Sequence, residues 1–183
     1  MRFACANCSE PHVYPDSLHA VTRLMGDFQD AFRSGRRFKS LKLGIRLVRQ
    51  LQEDFLESLR LEIERTGLSS AHSFQHYRAG EQAHLAGILQ QEHPLTARQF
   101  HELRKIISRR IALNDTRRTL SPSAHLDAIS LYLATINGLM GRMHDELVLK
   151  RVRKELDYDL QPIDLPEEIA SRLQAVARLD SAC

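Results

Sequence analysis

Phe100-His101-Glu102-Leu103-Arg104-Lys105-Ile106-Ile107-Ser108-Arg109-Arg110-Ile111-Ala112-Leu113 reads as one amphipathic helix, and its period decides the fold class. Phe100, Leu103, Ile107 and Ile111 recur in steps of three and four residues, which gathers them into one apolar stripe. His101, Lys105 and Arg109 follow one another every four residues, with Arg104 and Ser108 in the adjacent row, so a second side of the helix is cationic. The segment opens after Pro94 with Thr96 as a good N-cap and is expected to run to about Asn114.

The same helical period extends outward over most of the chain, and no run alternates apolar and polar residues as a strand would. Pro11, Pro15, Gly35, Gly67, Pro94, Pro122, Pro162 and Pro166 punctuate it into about six helices. The first starts at Asp16 or Ser17 as N-cap and carries Leu18, Val21, Leu24, Met25, Phe28 and Phe32 to a stop at Gly35. The second is read as one long helix from Arg37 to about Thr66, with Leu41, Ile45, Val48, Phe55, Leu59 and Ile63 near one face. A third covers about Ser70 to Gln91, where Gly80 and Gly87 weaken the helix by up to about 1 kcal/mol each relative to Ala. After Pro122, with Ser121 or Ser123 as cap, a fifth runs from Ala124 to about Leu156. The last spans Pro166 to Leu179, its Glu167 and Glu168 suiting the positive end of the helix dipole. The expectation is an all-α antiparallel bundle. Residues 1–15 form an extension and 16–183 a single domain, a length ordinary for one core.

Two internal echoes suggest a duplicated helical hairpin. Leu24-Met25-Gly26 with Asp30 recurs as Leu139-Met140-Gly141 with Asp145, and Phe38-Lys39-Ser40-Leu41-Lys42 with Ile45 resembles Phe100-His101-Glu102-Leu103-Arg104 with Ile107. A glycine inside a helix permits close approach of a neighbour, with the Asp one turn later on the same side. Two amphipathic helices sharing common residues would look the same.

Composition excludes several classes. No apolar run approaches the roughly 20 residues of a membrane span. The N-terminal MRFACANCSEPH has no stretch suited to a secretory signal, so cytoplasmic residence is the expectation. Three cysteines do not make a disulfide framework, and the absence of Trp argues against a stacking platform for single-stranded nucleic acid. No P-loop, dinucleotide-binding glycine pattern or nucleophile elbow is present, so no reaction can be named and no cofactor is expected.

With a net charge of +3, distribution matters more than the total. Lys39, Lys42, Arg46 and Arg49 form a second basic row on the Arg37 helix, which turns acidic beyond Gln52 with Glu53, Asp54, Glu57, Glu62 and Glu64. Such segregation creates local positive potential that a polyanion can meet. Arg suits bidentate phosphate contacts, Lys supplies a point charge, and protonated His donates from both nitrogens. Any one of these residues could equally occupy a solvated face. Cys5, Cys8 and His12 have the character of zinc ligands, but the set is incomplete and Cys183 or His19 would have to close it. His72, His76 and His84, with Glu81, share the third helix without a His-Glu-x-x-His motif and read as surface histidines.

The segment from Phe100 to Arg110, followed by Leu131-Tyr132-Leu133-Ala134-Thr135-Ile136-Asn137-Gly138-Leu139-Met140-Gly141-Arg142-Met143-His144-Asp145, resembles the second half of a CHAD domain, the conserved histidine α-helical domain. The match covers about residues 98–152. His101-x-x-Arg104-Lys105 follows the family's basic helix, and Met140-Gly141 with Asp145 follows its Leu-Gly-x-x-x-Asp helix, with Met in place of Leu. The resemblance implies two related halves whose basic residues line a channel for inorganic polyphosphate. The first-half His-x-x-Arg helix is missing before Leu24, and Lys39 stands where His101 stands in the internal comparison, so a complete channel would call for two assembled chains. The expected function is therefore non-enzymatic binding of polyphosphate or a similar polyanion through Lys39, Lys42, Arg46, Arg49, His101, Arg104, Lys105 and Arg109. The alternatives are a helical scaffold that engages an acidic protein partner and, behind it, RNA binding through shape and phosphates.

Overall fold

The computed structural model describes residues 2–91, 94–157 and 160–179, and among them the chain is all-α. Among the described residues there are eight helices: α1 (Arg2–Cys8), α2 (Asp16–Arg33), α3 (Arg37–Gln50), α4 (Glu53–Thr66), α5 (Ala71–Leu89), α6 (Ala97–Leu120), α7 (Ala124–Val152) and α8 (Glu167–Leu179). They belong to two compact units, Met1–Ser73 and Phe74–Cys183, the division falling inside α5.

The count exceeds the expected six for two reasons. The N-terminal extension contains α1, and the long second helix is broken in two. No Gly or Pro marks that break; Leu51 closes α3 by donating to the Leu47 and Val48 carbonyls, and Gln52 is extended with ψ 171° before α4 begins. The cause is tertiary. Residues 37–66 as one helix would reach about 45 Å at 1.5 Å per residue, against about 27 Å for α2. The bend lets α2 pack against both α3 and α4.

In the first unit α2 is capped from a distance. Neither Asp16 nor Ser17 serves as N-cap; Pro15 takes that position and makes no side-chain cap. Instead the Glu62 carboxylate, from α4, accepts from the Asp16 backbone N–H, from the Ser17 N–H at 3.3 Å and from the Ser17 hydroxyl. Burial pushes the Glu62 carboxyl up, yet these donors more than offset it and hold the group below the usual glutamate range. The charge also meets the positive end of the α2 dipole. The α1 segment is tied down by the Ser69 N–H donating to the Cys8 carbonyl at 2.8 Å.

The second unit carries the larger core. Phe100, Leu103, Ile106 and Ile107 of α6 are fully buried among Leu85 and Ile88 of α5, Leu133, Ile136 and Met140 of α7, and Leu173 and Val176 of α8. The expected stripe is thus widened by Ile106, while Ile111 lies at its half-buried edge. Thr96 closes a full capping box with Gln99, as its sequence position predicts, and α6 runs on to Leu120 rather than stopping near Asn114. Of the two candidate caps for α7, Ser123 is the one used, its hydroxyl accepting from the Leu126 N–H at 3.2 Å. α7 ends at Val152, short of the expected Leu156. Asn114 fixes the α6–α7 hairpin by donating to the Leu126 carbonyl at 2.9 Å and to Ser130 Oγ at 2.7 Å. Backbone bonds in both directions between Leu95 and Ile163 clip the segment before α6 to the one before α8.

The internal echoes do not carry equivalent structure. Phe100, Leu103 and Ile107 are 0% exposed, whereas Phe38, Leu41 and Ile45 are 90%, 63% and 46% exposed. Leu24 is buried and Met25 exposed in one copy of the other echo, while Met140 is the buried residue in the second. A Cβ at Gly26 or Gly141 would meet nothing within 4 Å, so neither glycine serves a close helix approach.

Two outcomes follow. Phe100→Ala should cost about 3–5 kcal/mol in urea unfolding and Phe38→Ala less than about 0.5 kcal/mol; equal losses would contradict the described burial. Glu62→Ala should cost about 1 kcal/mol at neutral pH. Because the Glu62 carboxyl is held low in the folded chain, its contribution is complete above the ordinary glutamate range and lost as pH falls through the folded-state value, so the variant's deficit should vanish in acid.

Candidate anion-binding surface

α6 has two opposed sides. One is the buried stripe; on the other, His101, Arg104, Lys105 and Ser108 share about 100° of arc, since residues three, four and seven apart line up on a helix. His144 approaches them from α7: the hairpin is antiparallel, with Asn114 opposite Leu126 and Ser130, which brings His144 to the level of His101. Asn137, Gly141 and His144 recur along the same side of α7, and the space a Cβ would occupy at Gly141 is open.

The electrostatics of this cluster are cationic with two carboxylates among them, Glu102 beside Lys105 and Asp145, whose Oδ1 lies 3.4 Å from His144 Nδ1. Partial desolvation lowers the His101 pKa although the side chain remains exposed, Lys105 lowers it further, and Arg104 and His144 act in the same sense; Glu102 alone opposes them. The imidazole is therefore held toward its neutral form, ready to take up a proton when negative charge arrives. Glu102 is bonded by Lys105 Nζ at 3.0 Å. Burial raises the Glu102 carboxyl, but Lys105, His101 and Arg109 outweigh it and leave the group below its usual range. Arg104 Nε is buried without a hydrogen-bond partner, a donor held out of solvent.

Arg109 and Arg110 of the same helix are engaged elsewhere. Arg109 is 14% exposed at its side chain and its Nε donates to Glu81, itself buried; Arg78 reaches the other Glu81 oxygen at 3.4 Å. Arg110 is buried, donating to Gln82 Oε1 and to the Val176 carbonyl at 3.3 Å, while Gln82 donates to the Ala177 carbonyl. This network joins α5, α6 and α8 through polar groups inside the second unit. Its sequence signal was slight, because Glu81 sits between histidines and reads as a surface residue there. His72, His76 and His84 are exposed and do not gather around Glu81.

In the first unit Lys39, Lys42, Arg46 and Arg49 are all exposed along α3, as the row predicts. They lie in Met1–Ser73 and the α6 set in Phe74–Cys183. Cys5 and Cys8 are free thiols on α1, and burial pushes the Cys5 thiol up. His12 has φ 51°, and its ring is held between the Ala6 carbonyl at 3.2 Å from Nδ1 and Ser73 Oγ at 3.1 Å from Nε2. Since a carbonyl only accepts, the neutral ring carries its proton on Nδ1 and accepts from Ser73 through Nε2. Among the described residues no three His, Cys, Asp or Glu side chains converge as a metal site; His19 is exposed on α2 and Cys183 lies outside the described residues. No helix among them is long and apolar enough to cross a membrane.

The His101 environment has a measurable sign. Its imidazole should titrate below an ordinary histidine in an NMR pH series, and Lys105→Gln should move the midpoint upward; a fixed midpoint would contradict the described coupling. Because the unfolded chain binds that proton more tightly, stability should fall as pH drops through the ordinary histidine range, and His101→Gln should flatten this slope. The chain matches no family model, no curated protein and no solved structure.

Proposed function

We propose that this protein binds inorganic polyphosphate, or a similar phosphate-rich polyanion, without transforming it. The observation that carries the reading is the side of α6 where His101, Arg104 and Lys105 stand within about one turn of one another and His144 of α7 adds to the same potential. Arg104 offers a guanidinium fork with one donor kept from water, Lys105 a charge shared with Glu102, and His101 a ring that gains a proton as phosphate approaches. Lys39, Lys42, Arg46 and Arg49 supply a second exposed row on α3. Arg109, expected with these residues, is bonded to Glu81 and contributes at most through longer-range potential. The resemblance of residues 98–152 to a CHAD domain points to the same ligand class. Phosphate spacing along a flexible chain lets it follow such a row without a preformed pocket.

The test is titration of medium-length polyphosphate at low salt, followed by a salt series. Binding is expected to weaken steeply as salt rises through loss of counterion release. Arg104→Gln with Lys105→Gln, which keeps much of each stem, should weaken binding at least tenfold. It should also reduce the slope of log K against log salt by about 1.4, at roughly 0.7 per lost contact. No affinity at low salt, or an unchanged double variant with an intact circular dichroism spectrum, sinks the reading. Displacement of polyphosphate by structured RNA of matched charge would replace it with RNA binding.

A further inference from the structure

The first unit leaves a continuous apolar stripe without cover. Phe38, Leu41, Ile45 and Val48 of α3 follow one another in steps of three, four and three, the spacing of a helix-pairing seam, and they are 90%, 63%, 46% and 70% exposed. Beside the stripe runs a groove of about 950 Å³ whose lining includes Phe28 and Phe32 of α2 and Leu41, Ile45 and Val48 of α3. Its wall is built: Phe28 and Phe32 stack with centroids 6.4 Å apart, and a Cβ at Gly44 would stand 3.4 Å from the Phe28 ring. α2 therefore sits close on α3 along one side and leaves the neighbouring side open.

We propose that this groove is a docking site for an acidic amphipathic helix of a partner protein. Shape, charge and area each point to that occupant. The apolar pattern Phe-x-x-Leu-x-x-x-Ile occurs twice in the chain; around Phe100 it is covered by helices α5, α7 and α8, and around Phe38 it is bare. All charged residues of α3 are basic: Arg37, Lys39, Lys42, Arg46 and Arg49. Arg37, Lys42 and Arg49 fall at the positions flanking the seam, where charge selects the partner in paired helices. A second copy of α3 would set these cations against each other, whereas glutamates flanking an incoming apolar stripe would pair with them. Phe32, Phe38, Leu41, Ile45 and Val48 together expose on the order of 600 Å², given 150–250 Å² for an aromatic side chain, against about 800 Å² per partner in a standard stable interface. One helix laid in a groove fits that area. A concave slot with a seam also suits a helix better than a flat lipid surface does.

The docking site lies on α3, whose Lys42 and Arg49 also belong to the second basic row, so it is tested with peptide probes in the absence of polyphosphate. The probe is a fluorescent 18-residue synthetic helix with leucine at the seam positions and glutamate at the flanking ones, compared with the same peptide bearing lysine in place of glutamate. With the full chain, the glutamate peptide is expected to bind saturably and at least tenfold more tightly than the lysine peptide, with affinity falling as salt rises. Leu41→Asp with Val48→Asp should abolish this binding while helix content stays unchanged. Lys42→Glu with Arg49→Glu should reverse the preference toward the lysine peptide. Equal binding of the two peptides, or binding that survives Leu41→Asp with Val48→Asp, overturns the proposal. So does a chain dimer in sedimentation that this double variant dissolves, which makes a second copy the occupant. Co-sedimentation with phosphatidylserine vesicles, lost in the same variant while neither peptide binds, assigns the stripe to a membrane surface and likewise overturns it.

Discussion

Burial of one side of α6 is the constraint on which the second unit depends. Phe100, Leu103, Ile106 and Ile107 have no exposure, and each of α5, α7 and α8 contributes apolar side chains to the cluster around them. Removing this apolar area from water is the main favourable term in a helical unit of this size. A helix pinned on one side presents its other side in a fixed register. The separation of His101, Arg104 and Lys105 from solvent-random motion is therefore a consequence of core packing: the backbone beneath them is held by the most buried residues of the chain.

Polar groups inside the same unit limit how those helices can shift. Glu81 is shared by Arg78 and Arg109, and Gln82 links Arg110 to the backbone of α8. Charges placed this deep are costly unless paired, so a slide of α6 by one turn would strand several of them. Arg109 and Arg110 are thereby assigned to architecture, although they stand in the same basic run as Arg104 and Lys105. Neighbouring arginines in one helix differ in their surroundings because a 100° step carries successive residues from the solvent side to the core.

The first unit is held differently. Its fully buried apolar residues are few, and a directional interaction, the Glu62 carboxylate at the start of α2, joins α4 to α2. That economy leaves the apolar stripe of α3 available. A unit that buried Phe38, Leu41, Ile45 and Val48 within itself would be more self-contained, and it would have no groove with a cationic edge to offer.

Much of this was legible in the residues alone. The period of the Phe100 segment predicts a buried stripe with a basic opposite side, and Thr96 after Pro94 predicts its capped start; local geometry suffices for both, because a helix fixes which residues share a side. The all-α class follows from the same period repeated along the chain. Tertiary structure decided the rest. The break at Leu51 has no local signal, since it answers to the length of α2, and the cap on α2 comes from a residue 46 positions away. The destination of Glu81, Arg109 and Arg110 required knowing which helices surround α6. The contrast between Phe38 and Phe100 is the clearest instance: two nearly identical patterns specify the same amphipathic helix, and only the presence or absence of covering helices determines whether its apolar side is core or surface.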